Sequence, residues 1–195
     1  MVFIRPALGS DPHPMLRGER VYLRPPVASD YDQWAALRAA SRAHLTPFEP
    51  QWAGDELSRS SFRLRLKRYH QDARNDLGYA FFILDASAHV LVGGITLSVV
   101  RRGISQAAYA GYWTGQAFTG RGHATEALEL VVAYAFGGLG LHRVEAVCMP
   151  RNLASMRVLE KVGFQREGLA RRCLKINGTW EDHALLALVV EDREH

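Results

Sequence analysis

The sequence predicts an α+β domain, built as a single mixed, mostly antiparallel sheet of about seven strands with about four helices on its faces. Three observations predict it. Two apolar, β-branched runs, YAFFILD and VLVGGITLSVV, flank a short AlaSerAlaHis turn and precede AAYAGYWT, which reads as an antiparallel meander. From His123 onward Ala124, Ala127, Leu128, Val131, Val132, Ala135 and Phe136 recur at helical spacing. Finally, LARRCLKI and WEDHALLALVV flank Asn177-Gly178, the pair that a type I′ hairpin turn favours.

Residues 1–16 hold Pro6, Pro12 and Pro14 without periodicity and read as a lead-in, which leaves one domain over 17–195. A first strand carries Val21 and Leu23 and stops at Pro25 and Pro26. Ser29 or Asp30 then caps a helix running through Trp34, Leu37 and Ala40. His44 to Trp52, HLTPFEPQW, is a proline-broken loop. Asp55 and Glu56 open a basic amphipathic helix with Phe62, Leu64, Leu66 and Tyr69, ending between Asp76 and Gly78. After the meander and the long helix come the strand VEAVCM, a helix from Asn152 to Val162, and the closing hairpin.

A chain of 195 residues that is 48% hydrophobic can bury one full core. Its formal charge of +4 is modest, compatible with phosphate-bearing ligands or a ribosomal partner without establishing either. Cys148 and Cys173 sit apart in apolar segments and read as buried thiols in a reducing cytoplasm. The N-terminal apolar stretch is too short for a signal peptide and no segment is long enough to span a bilayer, so a cytoplasmic protein without a membrane partner is expected. His123 and His183 belong to no metal-ligand spacing, and no metal is expected. The Walker pattern is absent. A doubly wound dinucleotide fold is disfavoured because the glycine turn comes late, after a meander.

The most informative stretch is Tyr112 to Glu126, YWTGQAFTGRGHATE, a strand, a glycine turn and a helix start in succession. Gly120 and Gly122 allow positive φ and close approach, and the unpaired amides of the helix's first turn would point back at them. Such amides suit a pyrophosphate, which Arg121 and His123 could also touch. Taken alone, the two glycines equally fit a turn that needs them for geometry. Asn152 and Ser155 stand three apart, so they share one face at a second helix start, where Asn152 is an apt cap.

TGRGHATEAL followed by NLASMRVLEKVGF resembles the acetyl-CoA-binding core of the GNAT acetyltransferases. The family's Arg/Gln-x-x-Gly-x-Gly/Ala consensus falls on Thr119, Gly122 and Ala124, so a long side chain is missing at Thr119 while the backbone amides remain. HLTPFEP, VVRRG, AYAGYWTGQAF and NGTWEDHALLAL are similar to their counterparts in the RimJ/RimL-type ribosomal-protein-alanine N-acetyltransferases, with the RimJ type closer; the likeness spans Arg17 to Val190. It implies the GNAT fold, acetyl-CoA as cosubstrate, and direct attack in a ternary complex by a protein N-terminal amine, an N-terminal alanine of a ribosomal protein. The cosubstrate set it implies is Trp113, Thr114, Thr119, Gly120, Arg121, Gly122, His123, Ala124, Thr125, Asn152 and Lys161, with Ser155 as proton donor to the leaving thiol. Glu49, Gln116, Glu181 and Asp182 are the acceptor-side candidates. Gln116 stands where RimL-type enzymes have an acidic residue and cannot act as a base, which leaves Glu49, Glu181 and Tyr112 as the groups to consider. Two other readings stay open at this point. One is a small-amine acetyltransferase, for an aminoglycoside or polyamine. The other is a ribosome- or RNA-binding assembly factor using the basic helix with Arg59, Arg63, Arg65, Lys67, Arg68 and Arg74. Monomer and homodimer are both compatible with the sequence.

Overall fold

The structure, a computed structural model, describes residues 14–193. Residues 1–13 of the expected lead-in fall outside that range. The sheet has eight strands: β1 (Leu16–Arg17), β2 (Val21–Arg24), β3 (Gly78–Asp85), β4 (Leu91–Arg101), β5 (Ala107–Thr114), β6 (Arg143–Cys148), β7 (Gln165–Ile176) and β8 (Thr179–Val189). Their order is β1-β2-β3-β4-β5-β6-β8-β7. Every pairing is antiparallel except β5 with β6. The strand beyond the expected seven is β1, two residues that pair Leu16 with Leu23.

The helices are α1 (Tyr31–Ala40), α2 (Arg42–Leu45), α3 (Arg59–Arg74), α4 (His123–Ala133) and α5 (Leu153–Val162). α2 is the one not anticipated, a single turn where the proline-broken loop begins. α3 starts at Arg59 rather than at Asp55 or Glu56, because Ser58 takes the cap: its Oγ accepts the Ser61 amide at 3.1 Å. Asp55 remains outside the helix and accepts the Ser61 hydroxyl at 2.8 Å. Asn177 and Gly178 both have positive φ, 43° and 87°, as a type I′ turn requires.

β3 is apolar and buried on both faces. Phe81 and Ile83 meet Leu128, Val131, Met156 and Leu159 of α4 and α5, while Phe82 and Leu84 meet Trp34 of α1 and Phe62 and Leu66 of α3. The sheet is thus covered on both sides. The parallel pair is short. β5 and β6 pair only at Ala107↔Arg143, Ala108↔Val144 and Tyr109↔Glu145, after which each follows its other neighbour, β5 to Gly93↔Thr114 and β6 to Cys148↔Ala184. The two strands therefore splay. α4 leaves the C-terminal end of β5 and α5 that of β6, so both helix N-termini stand at the mouth of the splay. At its closed end Glu145 accepts from Arg101 at 2.5 Å and from Arg143 at 3.0 Å.

Candidate active site

At the mouth, Gly122 caps α4 in the left-handed region with φ 83°, and Gly120 precedes it at φ 72°. The first amide closed back onto the cap is that of Glu126, on Gly122 O at 3.1 Å. The amides of His123, Ala124 and Thr125 therefore face out of the helix end, where its dipole favours an anion. Glu126 faces the other way: its carboxylate accepts the amides of Glu19, Arg20 and Val21 at 2.7, 2.8 and 3.0 Å. Thr119 Oγ1 donates to Gln116 O at 2.9 Å. Arg121 lies over the Phe118 ring at 5.6 Å. His123 is buried with Nε2 3.3 Å from Asp85 Oδ2. Asp85 is held down at about 2, chiefly by hydrogen bonds from Ala88 and Ser87.

The opposite lip is α5. Asn152 caps it, its side chain accepting the Ser155 amide at 3.2 Å. Ser155 Oγ lies 2.9 Å from the Tyr112 hydroxyl, which also donates to Ser155 O at 3.1 Å. A hydroxyl pair therefore bridges β5 and α5. Burial pushes the Tyr112 phenol well above its ordinary range, against a smaller opposite pull from Ser155, so at neutral pH it is a proton donor rather than a phenolate. The neighbouring Cys148 thiol is raised by burial as well.

A cavity of about 390 Å³ opens on the α1 and α3 side, walled by Trp34, Trp52, Tyr69, Tyr112 and Trp113. Its charges are paired. Arg38 makes a two-armed contact with Glu49 at 2.6 and 2.7 Å, between the Trp52 and Trp113 rings at 4.4 and 5.0 Å. Trp52 Nε1 donates to Glu49 as well, at 2.7 Å, and Arg65 holds Glu56 at 2.6 Å. Trp113 can fold onto β4 because Gly94 has no Cβ, which would lie 2.6 Å from its Nε1. Glu49 O accepts the Asn177 amide at 2.9 Å, tying the loop to the β7–β8 turn. Tyr112 lines this cavity and also reaches Ser155, so the cavity and the mouth share it.

The sequence profile described as acetyltransferase (GNAT) domain matches residues 20–165. The chain belongs to the GNAT acetyltransferases. It is 43% identical over 180 residues to the probable N-acetyltransferase YjcK of Bacillus subtilis, covering 92% of this chain and 99% of that one. It is 32% identical over 183 residues to the [ribosomal protein uS5]-alanine N-acetyltransferase of Escherichia coli, covering 93% of each. Among solved structures, Mycobacterium smegmatis RimJ in complex with CoA-disulfide superposes with a TM-score of 0.86 at 33% identity, over 94% of this chain and 89% of that one.

This GNAT enzyme gathers Thr119, Gly120, Arg121, Gly122, His123, Ala124 and Thr125 at one lip of the mouth, and Asn152 and Ser155 at the other. Tyr112 lies between. Trp113 and Thr114 continue β5 beyond the splay, Trp113 facing the cavity and Thr114 paired with Gly93. Lys161 is in the last turn of α5, about 13 Å along the axis from Asn152. Glu49 lines the cavity, and Gln116 is exposed, its amide on Ser41 Oγ at 3.0 Å. Glu181 and Asp182 border a different cavity, of about 330 Å³. There Arg151 holds Glu181 at 2.7 Å and the Arg172 amide holds Asp182 at 2.8 Å. Sequence reasoning did not find Arg38, Trp52 or the Arg65–Glu56 pair as parts of the site. Arg38 had a usable signal. It follows Trp34 by four, so it stands on the buried face of α1, where an arginine needs a partner.

Proposed function

We propose that this enzyme transfers an acetyl group from acetyl-CoA to the α-amine of a protein N-terminus in a ternary complex, an N-terminal alanine of a ribosomal protein being the acceptor. The observation that carries this reading is the cavity joined to the mouth through Tyr112, with its carboxylates Glu49 and Glu56 already matched by Arg38 and Arg65. A polyamine or aminoglycoside would need carboxylates free to meet several ammonium groups. A peptide N-terminus presents one amine, beside a small side chain that aromatic walls can accommodate. The similarity to a uS5-alanine N-acetyltransferase over nearly the whole chain supports the same acceptor class.

Acetyl-CoA supplies the acyl group as a thioester. The amides of His123 to Thr125 at the positive end of α4 receive its pyrophosphate, and the splay admits its extended arm. Asn152 uses Oδ1 to cap α5 and keeps its amide nitrogen for the arm. An α-amine with a pKa of roughly 7.7 to 8.0 has an appreciable neutral fraction near pH 7, so the amine can arrive unprotonated or release its proton to water. Glu49 has both oxygens engaged and acts by holding the cavity wall. The Ser155 hydroxyl protonates the departing sulfur as the neutral Tyr112 phenol, 2.9 Å away, passes its proton to Ser155 Oγ, and the proton that the amine loses to water returns to Tyr112 from solvent.

Thiol release from acetyl-CoA, measured with free-N-terminus peptides beginning Ala, Ser and Met and with small amines alongside, tests the proposal. Turnover of the alanyl peptide above the small amines is expected, and turnover of spermidine or an aminoglycoside in preference to every peptide would overturn it.

A further inference from the structure

We propose that Arg20 is a pyrophosphate-binding residue of this enzyme, supplying from the β1–β2 turn the long cationic side chain that position 119 lacks. The inference rests on the acetyl-CoA reading above. Its first support is position. A Cβ at the capping residue Gly122 would find Arg20 as its nearest neighbour, with Cδ and Nη1 each at 3.7 Å and Nε at 4.0 Å. The guanidinium therefore runs alongside the left-handed turn that opens the amides of α4.

Its second support is the way the turn is held. Glu126 accepts the amides of Glu19, Arg20 and Val21, and Arg20 O accepts the Ala86 amide at 2.8 Å, so the backbone beneath the side chain is fixed at both polar groups. Gly18 is required for this approach, because a Cβ there would lie 2.7 Å from the Glu126 carboxyl. The same bonds spread the charge of Glu126 over three donors, so the one acid in the first turn of α4 opposes an incoming phosphate less.

Its third support is that the cation is free and the place polar. Among the described residues no carboxylate pairs with the exposed Arg20 guanidinium. Its neighbour Arg121 instead lies over Phe118, and Thr119 is turned to Gln116 O. His123, the first residue of α4 and only 5% exposed, turns Nε2 to Asp85 and leaves Nδ1 without a partner. An unpaired arginine on a fixed stretch of backbone thus stands beside the open amides of one helix start, an arrangement that suits a diphosphate.

The test is direct binding, read by titration calorimetry of the full chain with CoA and with 3′-dephospho-CoA. Arg20→Ala is expected to weaken both about tenfold, as loss of one partly solvated charge-assisted contact, and Arg20→Lys to recover part of the loss. Thermal melting of the same samples checks the fold, and Arg20→Gln, which keeps the aliphatic stem, is a second variant. If the wild type binds CoA and both neutral variants bind it equally well, the Arg20 proposal falls and the acetyl-CoA reading stands. A loss confined to CoA, absent with 3′-dephospho-CoA, moves the contact to the 3′-phosphate and overturns the proposal as stated. If the wild type binds neither ligand, the acetyl-CoA reading itself fails.

Discussion

On the cavity side of the sheet charge is buried in matched pairs, whereas at the mouth it is met by backbone amides, hydroxyls and exposed arginines. Arg38 keeps 7% of its side-chain surface and Glu49 20%, and the pair is enclosed by two indole rings. Such a pair is expensive to break and poorly suited to exchanging a proton. It fixes the loop from Glu49 to Trp52 against α1 and β5. At the mouth the turn is built so that donors stay open, through positive φ at Gly120 and Gly122 and the diversion of Glu126 to β2. One region is closed by paired charge; the other keeps its backbone donors open.

If that contrast is right, the largest effect on stability follows from Arg38→Met. It leaves Glu49 half-enclosed without its guanidinium and should cost about 3 kcal/mol, the lower end for a broken buried pair because Glu49 retains some solvent. Urea unfolding measures it. Arg38→Met combined with Glu49→Leu should recover much of the loss, and a double variant as unstable as the single would mean that the arginine's packing, not its charge, holds the wall.

At the mouth the expected effects are on rate and affinity. Ser155→Ala should lower kcat about a hundredfold, the usual scale for a positioned general acid, with little change in the KM for acetyl-CoA. An unchanged kcat would remove Ser155 from proton transfer and leave that to water. Gly122→Ala should cost about 1–2 kcal/mol, because an L residue at φ 83° is strained although the space is open as far as Arg20 at 3.7 Å. Denaturation and CoA titration together read it. Strain confined to the free protein would appear in stability alone, and distortion of the amide cradle would appear in both.

The mouth was legible in the sequence because its signals are local. Glycine spacing, a cap and a 3.6-residue period all lie within Tyr112 to Phe136 and Asn152 to Val162. The cavity was not, since Arg38, Glu49, Trp52 and Arg65 come from two helices and a loop and meet only after folding. Glu49 could be named from its place between prolines, but not the arginine that occupies it. Arg20 was equally hidden, because its approach to Gly122 depends on Glu126 capturing a turn more than a hundred residues earlier. The start of α3 was misplaced for a local reason: two acids suggested a first turn, and the hydroxyl of Ser58 competed successfully for the cap.

The smallest expected effect tests whether the mouth contains any charge pairing of the cavity's kind, and it concerns Asp85. Oδ1 accepts from Ser87 and Ala88, and Oδ2 faces His123 at the start of α4, so the folded state favours the carboxylate and holds its pKa at about 2. An unfolded aspartate titrates near pH 4. The folded value is the lower of the two, so the stabilisation is complete above about pH 4 and is lost as pH falls towards 2. Asp85→Asn keeps an oxygen for the Ser87 and Ala88 amides while removing the charge. Its unfolding temperature, followed by calorimetry from pH 5 to pH 2, should therefore fall less steeply than that of the wild type across that window, with a nearly constant offset above it. Parallel curves would mean that folding does not lower the Asp85 pKa, so that neither its hydrogen bonds nor His123 favours the carboxylate more in the folded than in the unfolded chain.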